Sequence, residues 1–181
     1  MHTALALTFS LLLLTTSLSA SAADPVTGPA VEGYGPVYPV ADDAFNLTNN
    51  RHYKVSKDLF TSDEDNSKLN RGLESVARFL NMQARSGTPM SQVEMAVIVH
   101  GKAAKDLLTD TAYQSRFGIS NPNTGLLAEL DKAGVTIYLC GQTAAYRGFG
   151  GEELNASVTM ALSAMTAHVQ LQSEGYTLIP F

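Results

Sequence analysis

The chain has almost no cysteine: Cys140 is the only one in 181 residues. An intramolecular disulfide is therefore excluded, stability must come from packing, and the thiol must be sheltered, shared between chains or reactive. Basic blocks are also missing. Lys and Arg number 12 against 17 Asp and Glu, for a net charge of −5, and a mildly acidic chain of this kind argues against nucleic acid as a partner. The four histidines, His2, His52, His100 and His168, show no metal-ligand spacing, so no metal, haem or other cofactor is expected. Gly-x-Gly-x-x-Gly, Walker and Gly-x-Ser-x-Gly patterns do not occur, and Gly148-Phe149-Gly150-Gly151 does not follow directly on a strand as a phosphate cradle would.

Long apolar runs are scarce as well. The longest, Leu5 to Leu14, is too short for a membrane span and gives way to Ser and Thr, then to Ala20-Ser21-Ala22, an A-x-A cleavage signal. The reading is a signal peptide over residues 1–22 and export to the periplasm or the medium, although no Lys or Arg precedes the apolar run. Residues 23–50 form a second unit. Pro25, Pro29, Pro36 and Pro39 with Gly28, Gly33 and Gly35 forbid regular helix, leaving an extended arm, either packed through Tyr34, Val37, Tyr38 and Val40 or mobile. Residues 51–181 are long enough for one domain with a single core.

Within that domain the pattern alternates. His52 to Leu59 reads as a first strand, and the acidic cluster Asp63-Glu64-Asp65-Asn66-Ser67 reads as the start of a helix carrying Leu69, Leu73, Val76, Ala77 and Leu80. Val93 to Val99 is a strand apolar enough to be covered on both faces. After His100-Gly101 comes a short helix over Lys102 to Leu108, then an irregular connection with some helical potential from Thr109 to Ser120. Asn121-Pro122 reads as a cap and first helical residue, Leu126, Leu127 and Leu130 as the buried stripe, and Gly134 as the stop. Val135 to Cys140 is the next strand. Strand and helix alternating at this pitch mean an α/β fold on a parallel sheet. From Leu154 to Val169 the apolar residues fit two templates: one long helix, or a strand over Val158 to Leu162 followed by a helix and a last strand.

Chemistry concentrates at two strand ends. Cys140-Gly141 and His100-Gly101 each close a buried strand and open a loop, and the carboxyl edge of a parallel sheet is where ligands collect. If the two strands are neighbours, His100 lies near the thiol and can favour its thiolate. Gly141, Gln142 and Thr143 begin a helix whose amides would stabilise negative charge, Gly101 lines the same edge, and Arg147 adds a cation. The plainer readings stand beside these: Cys140 as a small buried apolar residue, and His100 as a structural hydrogen-bonder.

Several segments together resemble the DsrE/DsrF-like family, which includes sulfur-relay subunits and the YchN-like proteins. They are Asn121-Pro122-Asn123, the Leu126 to Ala133 helix, Gly134 to Gln142 with Cys140-Gly141-Gln142, and Gly148. Val97 to Gly101 and the arm around Val31 to Gly35 resemble the exported members, and Leu171 to Tyr176 resembles the family's closing helix-to-strand turn. The resemblance implies a three-layer α/β/α sandwich on a mainly parallel sheet of about five strands, and it favours the split reading of the tail. It also implies assembly into trimers or multiples of them, and a persulfide-accepting role for Cys140 with a sulfur donor or acceptor protein as partner. The alternative is a non-catalytic oligomeric module whose small-ligand pocket the cysteine lines.

Overall fold

A computed structural model of the chain describes residues 23–40 and 51–180. The expected signal peptide and residues 41–50 of the arm lie outside the described residues. Five strands, β1 (Tyr53–Leu59), β2 (Val93–Val99), β3 (Thr136–Cys140), β4 (Val158–Ala161) and β5 (Thr177–Ile179), form one parallel sheet in the order β4-β3-β2-β1-β5. The central place of β2 explains its unbroken apolar run. Met95, Ala96, Val97, Ile98 and Val99 are all buried because both faces of a central parallel strand are covered.

The helices are α1 (Arg71–Arg85), α2 (Asp110–Phe117), α3 (Thr124–Lys132), α4 (Gly141–Arg147) and α5 (Ala164–Ser173), with a 3-10 stretch at Gly101–Leu107. They make unequal outer layers. Leu73, Val76, Ala77 and Leu80 of α1 and Leu126, Leu127 and Leu130 of α3 pack with Val97, Val99, Ile137 and Leu139 in the larger core. Burying each Leu or Val of this kind stabilises by about 1.5–3 kcal/mol. On the opposite face Ala96, Ile98 and Cys140 lie with Ala164 and Leu171 of α5 in a much smaller cluster. The two sets alternate along β2 and β3, as a period of two requires.

The ambiguous tail resolves into strand, helix and strand. Val158 to Ala161 pair in register with Ile137 to Cys140, and Ser163 caps α5, its hydroxyl oxygen accepting the Thr166 amide at 3.0 Å. A continuous helix would forfeit both the pairing and the cap.

The helical potential of the Thr109 to Ser120 connection is realised as a helix, and two other local expectations are corrected. The connection from Thr109 to Ser120 contains α2, capped by Thr109, whose hydroxyl accepts the Ala112 amide at 3.2 Å. The acidic cluster does not start α1. Asp63 and Asp65 instead close turns by accepting the amides of Asp65 and Ser67 at 3.0 and 2.9 Å, and Asn70 caps α1 by accepting from Gly72 and Leu73. Asn121-Pro122 likewise precedes α3 without capping it. The Asn121 amide group donates to the carbonyls of Asp106 and Leu108 at 2.9 and 2.7 Å, while Asn123 accepts the Asn70 amide at 2.8 Å. Asn-Pro-Asn is thus a buried connector between elements rather than a helix start.

The described part of the arm is packed along α1. Asn81, fully buried, accepts the amides of Ala30 and Val31 at 3.0 and 2.8 Å and donates to the carbonyls of Val31, Tyr34 and Gly35. Arg78 and Arg85 hold the carbonyls of Pro36, Gly28 and Thr27. Gly35, at φ +60°, lies against the backbone of Ala77 and Arg78, where a side chain has no room.

Candidate functional site

The carboxyl edges of β1, β2 and β3 bring the predicted residues together. Val99 is in register with Leu139, so the residues that follow, His100 and Cys140, close neighbouring strands side by side. Cys140 is buried, only 6% exposed, at the N-cap of α4. The turn from β3 into α4 requires glycine next: a Cβ on Gly141 would lie 2.6 Å from the Ala161 carbonyl oxygen of β4.

Burial pushes the Cys140 thiol up, but hydrogen bonds from the Thr143 hydroxyl and from the amides of Thr143, Ala164 and Gln142 more than offset it, and the thiol lies below its ordinary value. The donors belong to the first turns of two helices, α4 and α5, which converge on the sulfur. The same hydroxyl oxygen of Thr143 accepts the Gly101 amide at 3.3 Å. Gly101, at φ +57°, turns the chain away from β2 beneath Phe60. Gln142 donates from its side chain to the Leu162 carbonyl at 3.3 Å, holding α4 against the turn after β4. Gly101, Gly141, Gln142 and Thr143 are therefore one connected group around the thiol.

His100 and Arg147 are placed differently. The His100 Nε2 lies 3.1 and 3.3 Å from the two carboxylate oxygens of Asp58, and its ring packs on Phe60 at 5.8 Å between centroids. Arg147 ends α4, about 10 Å along the axis from the Cys140 end. It lines a shallow cleft with Arg116, Phe117, Tyr146 and Phe149.

Asp58 and His168 are residues that sequence reasoning missed. The His168 Nε2, on α5, lies 2.8 Å from the same Asp58 oxygen that His100 approaches. Asp58 carried a faint signal, a charge near the end of a strand. His168 carried none, since only the docking of α5 brings it across 110 residues of sequence. Among the described residues no group of three or more His, Cys, Asp or Glu side chains is arranged to hold a metal ion. Among them, too, no helix is long and apolar enough to cross a membrane.

A five-stranded parallel sheet whose third strand delivers a thiol into the start of the next helix defines a small α/β protein with a strand-end cysteine site. The chain belongs to the DsrE/DsrF-like family, whose sequence profile matches residues 55–181. Solved structures that share the fold include the following two. One is a protein of unknown function, MTH1491 from Methanobacterium thermoautotrophicum, at 22% identity and TM-score 0.52, covering 71% of this chain and 99% of its own. The other is the ychN protein of E. coli, at 14% identity and TM-score 0.53 with the same coverage. No curated protein matches the chain.

Proposed function

We propose that this protein is an exported DsrE-like sulfur handler that accepts sulfane sulfur on Cys140 as a persulfide and passes it to an acceptor. The observation that carries this reading is a buried strand-end thiol at the N-cap of α4, and the Thr143, Gln142 and Ala164 groups beside it hold it below its ordinary value. Those groups stabilise a thiolate, the form that attacks sulfur. Family membership supports a sulfur-relay role in general terms. Export to the periplasm or medium is supported by the apolar run and the Ala20-Ser21-Ala22 signal.

Self-assembly as a trimer or a multiple of one belongs to the same proposal. Leu162, Met165 and Val169 are each more than 70% exposed, and Tyr146 is 91% exposed. The first three lie on or beside α5, the helix that covers the Cys140 face, so a partner seated there would also wall the site.

The test is intact-mass measurement after incubation with glutathione persulfide. A one-sulfur adduct on the wild-type chain that is missing in Cys140→Ser is the expected result. The near-complete burial of Cys140 favours a second reading, a ligand-binding module in which the thiol only lines the pocket. Absence of any adduct on the wild type would discard the carrier role in favour of that module.

A further inference from the structure

On the sheet face opposite Cys140, a groove of about 680 Å³ runs between α1 and the edge strand β5. Its lining on α1 begins at Arg71 and ends at Met82, eleven residues on, or roughly 16 Å of helix. Val76, Phe79 and Met82 form one wall, and Met95, Leu178 and Ile179 of the sheet form the other. The groove exists because β5 is short. Its three residues give about 10 Å of strand beside about 22 Å of the 15-residue α1, so the sheet edge ends before the helix does.

The charge of the groove is one-sided. Lys57, Arg71 and Arg78 line it with no Asp or Glu among the described lining residues, although the chain carries 17 acidic against 12 basic residues. Two of the three cations lie toward one end. Gly72 lets α1 approach β1 so closely that a Cβ on it would collide with the Leu59 side chain. Arg71, exposed at the rim, is the neighbour of Gly72, and Lys57, two residues before Leu59, shares the face of Val55 and Leu59 by strand alternation. Arg78 is committed to the arm, its Nε donating to the Pro36 carbonyl at 2.8 Å. Burial pulls the Lys57 ammonium below the ordinary lysine value despite the charge of Asp58, and an anion in the groove would offset that penalty.

We propose that this groove binds a free medium-chain carboxylate of the fatty-acid type, with its head group at the Arg71 and Lys57 end and its acyl chain along Val76, Phe79 and Met82. The lining selects that class. Among the described lining residues Ser75 is the one neutral polar side chain, and its hydroxyl donates to the Gly72 carbonyl at 2.7 Å. A peptide or sugar laid there would leave polar groups unpaired, whereas an acyl chain asks for no hydrogen bonds. The volume lies within the range of about 300–1,000 Å³ usual for small-molecule sites, and the pairing of an apolar wall with a few charged groups is their ordinary chemistry. The site is separate from the thiol, so it stands or falls independently of the sulfur-carrier reading.

The test is calorimetric titration of the full chain with decanoate and with decanol, below the concentration at which decanoate forms micelles. Decanoate is expected to bind saturably, one per chain, and decanol about 10-fold more weakly or worse, because it brings no anion to the cationic end. Arg71→Gln should lower decanoate affinity by about 10-fold and leave decanol unchanged. Met82→Asp, on the half-exposed wall, should weaken both ligands, and Met165→Asp, on the exposed α5 face, neither. Absence of saturable binding to the wild type, the result expected if the chain or a second copy already fills the groove, overturns the proposal. So does equal affinity for acid and alcohol, or an Arg71→Gln variant that matches the wild type. A loss in Met165→Asp equal to that in Met82→Asp would put the ligand on the other apolar face and overturn it too. Binding to phosphatidylcholine vesicles without binding of free decanoate has the same consequence.

Discussion

The hydroxyl oxygen of Thr143 accepts the Gly101 amide at 3.3 Å, across 42 residues of sequence, and the same hydroxyl is the largest influence lowering the Cys140 thiol. One side chain thus fastens the turn after β2 to the turn after β3 and sets the thiol's affinity for its proton. The two strand ends behave as one site because this hydroxyl has both a donor to receive and an acceptor to serve.

Thr143→Val should raise the thiol's pKa, since it removes the largest of the influences that lower it while the burial that raises it stays. Iodoacetamide alkylation followed against pH measures this directly. The wild-type midpoint is expected below that of an ordinary thiol, with the variant shifted upward. A wild-type midpoint at or above the ordinary value would remove the activated thiolate.

The same shift makes Cys140 a pH-dependent contributor to stability. Its proton affinity is lower folded than unfolded, so the contribution is complete above the unfolded thiol value of about 8.5 and disappears as pH falls through the folded value. Urea unfolding of wild type and Cys140→Ser across this range should show the wild-type advantage growing with pH. An advantage that shrinks as pH rises would contradict the sign of the shift.

Asn81→Ala should release the arm from α1. The substitution leaves the amides of Ala30 and Val31 without their acceptor and three carbonyls without their donor. Each group that stays buried and unpaired costs about 1–3 kcal/mol, so the arm is expected to detach rather than bear the sum. Hydrogen exchange at Ala30 and Val31 would read this. Protection unchanged from wild type would show that Val31 and the Arg78 and Arg85 contacts suffice.

Leu162→Asp combined with Val169→Asp should abolish self-association if the exposed apolar face is where copies meet. Sedimentation of the wild type is expected to give a trimer or a multiple, and the double variant a folded monomer. An identical distribution for both would place any assembly elsewhere.

Much of the fold was written locally. The unbroken apolar run of β2, the Leu stripe of α3 and the strand leading to Cys140 follow from periodicity, because burial on one or both faces is a local constraint on residue type. The acidic cluster was misread because Asp and Asn serve turns and caps by the same side-chain hydrogen bonds, and the choice of Asn70 over Asp63 depends on where α1 docks. Asn121 was misread for a related reason. Its partners are carbonyls of Asp106 and Leu108, supplied by the preceding 3-10 segment and its end.

By itself the sequence determined that one thiol ends a buried strand, that a glycine follows it, and that His100 ends another, because strand burial and turn chemistry are set by neighbours along the chain. Only the tertiary structure decided what those ends face. Sheet order placed β2 between β1 and β3, register aligned His100 with Cys140, and the docking of α5 brought the Ala164 amide to the thiol and His168 to Asp58. A hydrogen bond between groups 110 residues apart leaves no periodic trace, since it is made by packing rather than by the local course of the backbone.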